Sequence, residues 1–119
     1  MEELEREIKT FKEAGDEICL CLDLNENIRG NNAFNTAMQR VHMKEAIVMA
    51  HGADGPPTRR GSRHPIDGIY LTSNLSADAS GYGAYVEGVG DHRPLWIDIP
   101  TSLVFGEEPG RLDSQRHDV

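Results

Sequence analysis

Apolar residues recur through residues 3–14 at Leu4, Ile8 and Phe11, with Glu and Lys between them. That i, i+4, i+7 spacing predicts an amphipathic helix, and Gly15 stands where such a helix would end. The run Ile18-Cys19-Leu20-Cys21-Leu22 is apolar at every position. It predicts a strand covered on both faces, with its two thiols buried. The run breaks at the polar segment Asp23-Leu24-Asn25-Glu26-Asn27. Residues 32–41 return to helical spacing through Phe34, Ala37, Met38 and Val41, and a short apolar piece follows at Ala46-Ile47-Val48-Met49. Residues 51–65 form a loop of Gly, Pro and Arg. Strands are predicted over 66–72, over 82–87 from its period-2 alternation, and over 95–99, where Leu95, Ile97 and Ile99 share a face. The order helix, strand, helix, three strands predicts an α+β fold, one sheet with helices packed against it. With no repeat and no linker, one domain is expected over 1–105. The polar tail of 106–119 is expected to fray.

Composition narrows the function. The chain has 119 residues, enough for one small domain, and carries 12 Lys+Arg against 20 Asp+Glu, a net charge of −8. Bulk charge therefore cannot hold nucleic acid; local cations must, and the densest are Arg59, Arg60 and Arg63 in the Gly/Pro loop. No run approaches the roughly 18–20 apolar residues of a membrane span. The acidic start lacks the apolar stretch of a secretory signal, so an intracellular protein is expected, with nucleus or cytoplasm left open. Cys19 and Cys21, one residue apart, cannot close an unstrained disulfide along an extended strand and lack two ligands of a closed zinc site. Gly81-Tyr82-Gly83-Ala84-Tyr85-Val86 lacks the third glycine of a dinucleotide fingerprint, and no P-loop or His-Glu-x-x-His pattern occurs.

The candidate chemistry lies at strand ends. Asp23 and Asn25 follow the first strand, Asp67 opens the next, and Asp91-His92 precede the last. Together they suit phosphodiester hydrolysis, which needs a metal to neutralise phosphate, a group to orient or deprotonate water, and donors to the developing charge. In an extended segment Asp91 and His92 point to opposite sides, so the carboxylate that orients His92 is expected to be Asp67. Such a contact fixes the imidazole tautomer and raises its pKa. Asp91 is then free to face a metal, and hard oxygen donors suit Mg²⁺.

Three signatures carry a family resemblance. Cys21-Leu22-Asp23-Leu24-Asn25 is similar to the Gly-Asp-Phe-Asn motif of the endonuclease/exonuclease/phosphatase superfamily, the DNase I-like phosphodiesterases. Arg63-His64-Pro65-Ile66-Asp67-Gly68-Ile69-Tyr70-Leu71 is similar to its Arg-x-x-Ile-Asp-Tyr-Ile strand, with Pro57-Thr58 upstream resembling the Pro-Thr pair before it. Gly90-Asp91-His92-Arg93-Pro94-Leu95 resembles Ser-Asp-His-x-Pro. The three occur in family order over roughly residues 18–100, closest in look to retrotransposon-type endonuclease domains.

The resemblance implies a partial DNase I-like α/β sandwich. Asp23 would position the attacking water, with Asn25 holding it and the phosphate. Asp67 would hold His92, and His92 would act as general base or transition-state stabiliser. Asp91 would bind Mg²⁺ or Mn²⁺, and Arg59, Arg60 and Arg63 would meet the phosphate backbone. The implied partner is nucleic acid, DNA ahead of RNA, with no membrane. Gly68 stands where the family commonly has Tyr and is expected to loosen the strand. The family's first half, with its metal-binding Glu, has no match before Ile18. Weak or absent activity is therefore expected, together with a sheet face open to the missing half or to a second copy. The alternatives are a catalytically silent binding module and a phosphatase of small phosphoesters.

Overall fold

The computed structural model describes residues 2–25, 27–28, 30–52 and 56–105. The expected tail of 106–119 lies outside the described residues. The elements are α1 (Glu2–Glu13), β1 (Cys19–Asp23), α2 (Ala33–Arg40), β2 (Met43–Glu45), α3 (Ala46–His51), β3 (Asp67–Thr72), β4 (Ala79–Tyr82), β5 (Leu95–Asp98) and α4 (Thr101–Phe105), with a 3₁₀ turn at Tyr85–Glu87. The fold is α+β. Its strands make two small antiparallel sheets where one was expected: β1-β3-β2 and β4-β5.

β3 is the centre. Tyr70 points to one side, where Phe34, Ala37, Met38 and Val41 of the α2 segment and Ile8 of α1 close the first core cluster. The predicted apolar stripe of α2 is thus buried in full. Burial of each large side chain contributes about 1.5–3 kcal/mol. Asn32 caps α2, its side chain accepting from the Asn35 N–H at 2.8 Å. The stripe of α1 fares differently: Ile8 is buried, whereas Phe11 is exposed. Ile69 and Leu71, on the other side of β3, pack with Ile47 of α3 and with Leu95 and Ile97 of β5.

Three expectations are corrected. β1 is covered on one face only. Leu20 and Leu22 pack against the α1/α2 core, but Cys19 and Cys21 are exposed free thiols. The reason is position: β1 is an outer strand, and the β4-β5 layer lies over β3 without reaching it. The apolar piece at residue 46, which its spacing leaves unassigned, is a helix, capped by the Glu45 carboxylate, which accepts from the Val48 N–H at 2.6 Å. The strand expected over 82–87 is displaced: β4 ends at Tyr82, and the 83–87 segment is not a strand. Its chain folds back so that Glu87 accepts from the Ala84 N–H at 3.0 Å, and its Tyr85 stacks with arginines. No loosening shows at Gly68: the strand keeps register opposite Leu22 there, and a Cβ would press on Tyr70 and Glu45.

Candidate functional site

Strand register brings the first two carboxylates together. Asp23, the last residue of β1, stands directly opposite Asp67, the first of β3. The Leu24 N–H donates to the Ile66 carbonyl, so the even residues of β1 bond to β3. The Asp23–Asp67 pair is therefore of the non-hydrogen-bonded kind, in which side chains lie closest. Asn25 continues from Asp23 in a left-handed conformation (φ 57°), its N–H donating to Asp23 Oδ1 at 2.8 Å. That is an Asx turn, one of the local roles open to this sequence. The Asn25 side chain is exposed beside the cleft.

Thr58, fully buried, fixes the third segment of the site. Its hydroxyl oxygen accepts from the Ile66 N–H at 2.9 Å and the Asp67 N–H at 3.2 Å, and its carbonyl accepts from the Arg93 N–H at 2.9 Å. One residue thus ties the start of β3 to the segment carrying His92. Arg59 forms an antiparallel bridge with His92, and the Arg60 N–H donates to the Asp91 carbonyl at 2.8 Å. Gly90 takes φ 63°, a conformation that favours glycine. At Gly88 a Cβ would collide with the His92 carbonyl. These two glycines let the chain turn tightly enough to present Asp91 and His92 to the cleft.

His92 Nδ1 lies 2.7 Å from Asp67 Oδ2. This is the contact expected from strand alternation, although Asp91 and His92 do not point apart as supposed. They sit in a turn, and Asp91 Oδ1 comes within 3.7 Å of His92 Nε2, as does Asp23 Oδ2. The imidazole is thus hydrogen-bonded at one nitrogen and faces two carboxylates with the other. The Asp67 hydrogen bond, helped by the charges of Asp67, Asp23 and Asp91 and opposed by partial burial, raises the His92 pKa above its ordinary value. With Nδ1–H donating to Asp67, the neutral ring presents the Nε2 lone pair to the cleft.

Asp91, the expected metal ligand, is ion-paired with Arg59: Nε to Oδ2 is 2.8 Å. The guanidinium beside it holds its carboxyl below the usual range. The group that comes together as a possible metal cluster is Asp23, Asp67 and His92, with one ligand atom from each within 4.8 Å of the others. Two carboxylates and an imidazole on an open surface fit a divalent cation that keeps several waters. Arg60 lies over the Tyr85 ring at 4.8 Å, and Arg63 is exposed in the loop.

The sequence reading missed Arg93. It lines the cleft with Asp23, Asp67 and His92, its Nε donates to the Gly83 carbonyl at 2.8 Å, and its guanidinium lies over Tyr85 at 4.9 Å. Its place directly after His92 was the available signal. The open cleft, about 500 Å³, is walled by Cys21, Ile69 and Leu95. Comparison with protein-family models, curated proteins and solved structures found no match to this chain.

Proposed function

We infer that the cleft is a phosphodiester-hydrolysing site of the endonuclease type, acting on a nucleic-acid backbone and slow in the isolated chain. One observation carries the reading: Asp67 binds His92 Nδ1 at 2.7 Å while Nε2 faces Asp23 and Asp91. A carboxylate-held imidazole of this kind can take a proton from water or, when protonated, donate to a phosphate oxygen. Asp23, half-exposed, would orient the water. Arg93, at the cleft wall, would meet the phosphate, and Arg63, exposed in the loop, would reach the flanking backbone. Mg²⁺ or Mn²⁺ would be held by the carboxylates of Asp23 and Asp67, beside His92, and supplies, when bound, neutralisation of phosphate charge. The resemblance of the three motifs to the DNase I-like superfamily supports the same reading, with DNA as the expected substrate.

The rate should be low for a physical reason. Side-chain exposures of 49% at Asp23 and 47% at Asp91 leave both carboxylates in water, which screens them, and Asp91 is already neutralised by Arg59. The test is nicking of supercoiled plasmid in Mg²⁺ or Mn²⁺ by the chain and by its His92→Ala variant. Slow nicking that disappears in the variant is expected. Equal activity of the two proteins, or none in either, overturns the reading.

A second reading is favoured by the outer edge of β1. Even residues bond to β3, so the N–H and C=O groups of Cys19, Cys21 and Asp23 point outward. Such an edge suits strand addition by a protein partner. Light scattering that shows a concentration-dependent assembly indifferent to divalent cations would favour this reading.

A further inference from the structure

Cys19 and Cys21 are chemistry that the proposed hydrolysis does not use, although Cys21 also walls the cleft. Strand alternation sends both to one face of β1, and both are exposed. Their sulfurs stand 4.0 Å apart. Packing does not account for them, since neither belongs to a core cluster. We propose that this pair is a binding site for a thiophilic d¹⁰ divalent cation, Zn²⁺ or Cd²⁺, separate from the carboxylate–imidazole cluster.

The geometry is close to ready. Two metal–sulfur bonds of about 2.3 Å span a 4.0 Å separation at an angle of about 120°, the trigonal value and about 10° wider than tetrahedral. Exposure of both residues leaves the remaining coordination positions to water, with one protein ligand fewer than the three of an open catalytic zinc site. Soft thiolates select such an ion over Mg²⁺, whereas the carboxylates at the end of the same strand prefer the reverse. β1 therefore presents sulfur donors at 19 and 21 and oxygen donors at 23. Binding balances without a co-reactant: M²⁺ displaces two thiol protons to solvent, two S–H bonds break and two M–S bonds form. A disulfide is the poorer use of the pair. Closing it would draw the sulfurs from 4.0 Å to about 2.05 Å and would pass two electrons to an oxidant. Alternate residues on a strand stand about 6.6 Å apart at Cα, near the upper limit for a disulfide.

Co²⁺ titration of the reduced chain tests the proposal, because cobalt–thiolate bonds absorb in the near ultraviolet and Zn²⁺ abolishes the band by displacement. One ion per chain is expected. Cys19→Ser and Cys21→Ser should each weaken binding by about 100-fold or more, since even outer-sphere partners of a metal site account for 10–100-fold. Both positions are exposed, so the variants should keep the wild-type circular dichroism. His92→Ala should leave the band in place. A band that survives in both Ser variants, one that vanishes with His92→Ala, or one ion per two chains overturns the proposal.

Discussion

Replacing Asp67 by Asn tests the centre of the site through its charge. The Asp67–His92 contact is 2.7 Å, within the range of charge-assisted hydrogen bonds. Hydrogen bonds to charged groups contribute about 1.5–3 kcal/mol. The His92 side chain is 31% exposed and that of Asp67 18%, so solvent screening brings the figure down to about 1 kcal/mol. The contact raises the folded-state pKa of His92. The stability it supplies is therefore fully present below the unfolded value of about 6.5 and is lost as pH rises through the folded value. At pH 5.5 Asp67→Asn should lose about 1 kcal/mol, roughly fivefold in the folding equilibrium. Once pH has risen past the folded value the imidazole is neutral, and the carbonyl oxygen of the introduced amide can still accept from Nδ1–H. The substitution also relieves like charge opposite Asp23, worth about 0.2–1 kcal/mol. That relief acts at both pH values, so the loss of about 1 kcal/mol on going to the lower pH is the signal. Urea unfolding at the two pH values reads the difference, and NMR titration of the His92 ring should show its pKa falling in the variant. Equal losses at both pH values, or an unchanged ring titration, would refute the reasoning.

Gly88→Ala puts a methyl group into the His92 carbonyl, and since the obstacle is backbone the turn must move; a loss of about 2 kcal/mol and a shifted His92 ring resonance are expected. Thr58→Val leaves the Ile66 and Asp67 N–H groups without their buried acceptor, at a cost of about 2–3 kcal/mol by chemical denaturation, whereas Thr58→Ser should cost far less. Burial, with the neighbouring Cys21, pushes the Cys19 thiol up to about 11. Because the thiolate is the nucleophile, Cys19 alkylation by iodoacetamide, followed by peptide mass spectrometry in Cys21→Ser, should be slow at pH 7 and rise about tenfold per pH unit. The Cys21→Ser background removes one of the two causes, so a rate levelling off somewhat below pH 11 is expected there.

The Asp67–His92 contact was expected, though from an alternation at Asp91-His92 where the chain in fact turns. Local spacing was legible where near neighbours decide burial, as in the buried α2 stripe of Phe34, Ala37, Met38 and Val41. It failed where a distant element decides burial. The run from Ile18 to Leu22 reads the same whether one or two layers cover it, and only the placement of β4-β5 over β3 leaves Cys19 and Cys21 outside. The alternation of 82–87 also misled, because Tyr85 turns to Arg60 and Arg93 and its hydroxyl donates to the Pro57 carbonyl at 2.9 Å. Thr58 was visible only as half of a Pro-Thr pair. Its partners are amides eight and nine residues on, which no local pattern announces.

The site has two halves of unequal support. Asp67 and His92 are tied to each other and to the buried Thr58, so the carboxylate–imidazole pair is preorganised. Asp23 stands at the end of an outer strand that is hydrogen-bonded on one side only. A productive constellation needs its groups within about 0.5 Å, and the strand that carries Asp23 has half the backbone restraint of β3. Hydrogen exchange reads this residue by residue. The amides of Leu20, Leu22 and Leu24, directed at β3, should be protected, while those of Cys19, Cys21 and Asp23 should exchange fast. Protection at the outward positions would mean that something pairs with the edge. It would then be that partner, and not the chain alone, that brings Asp23 to the standard set by Asp67 and His92.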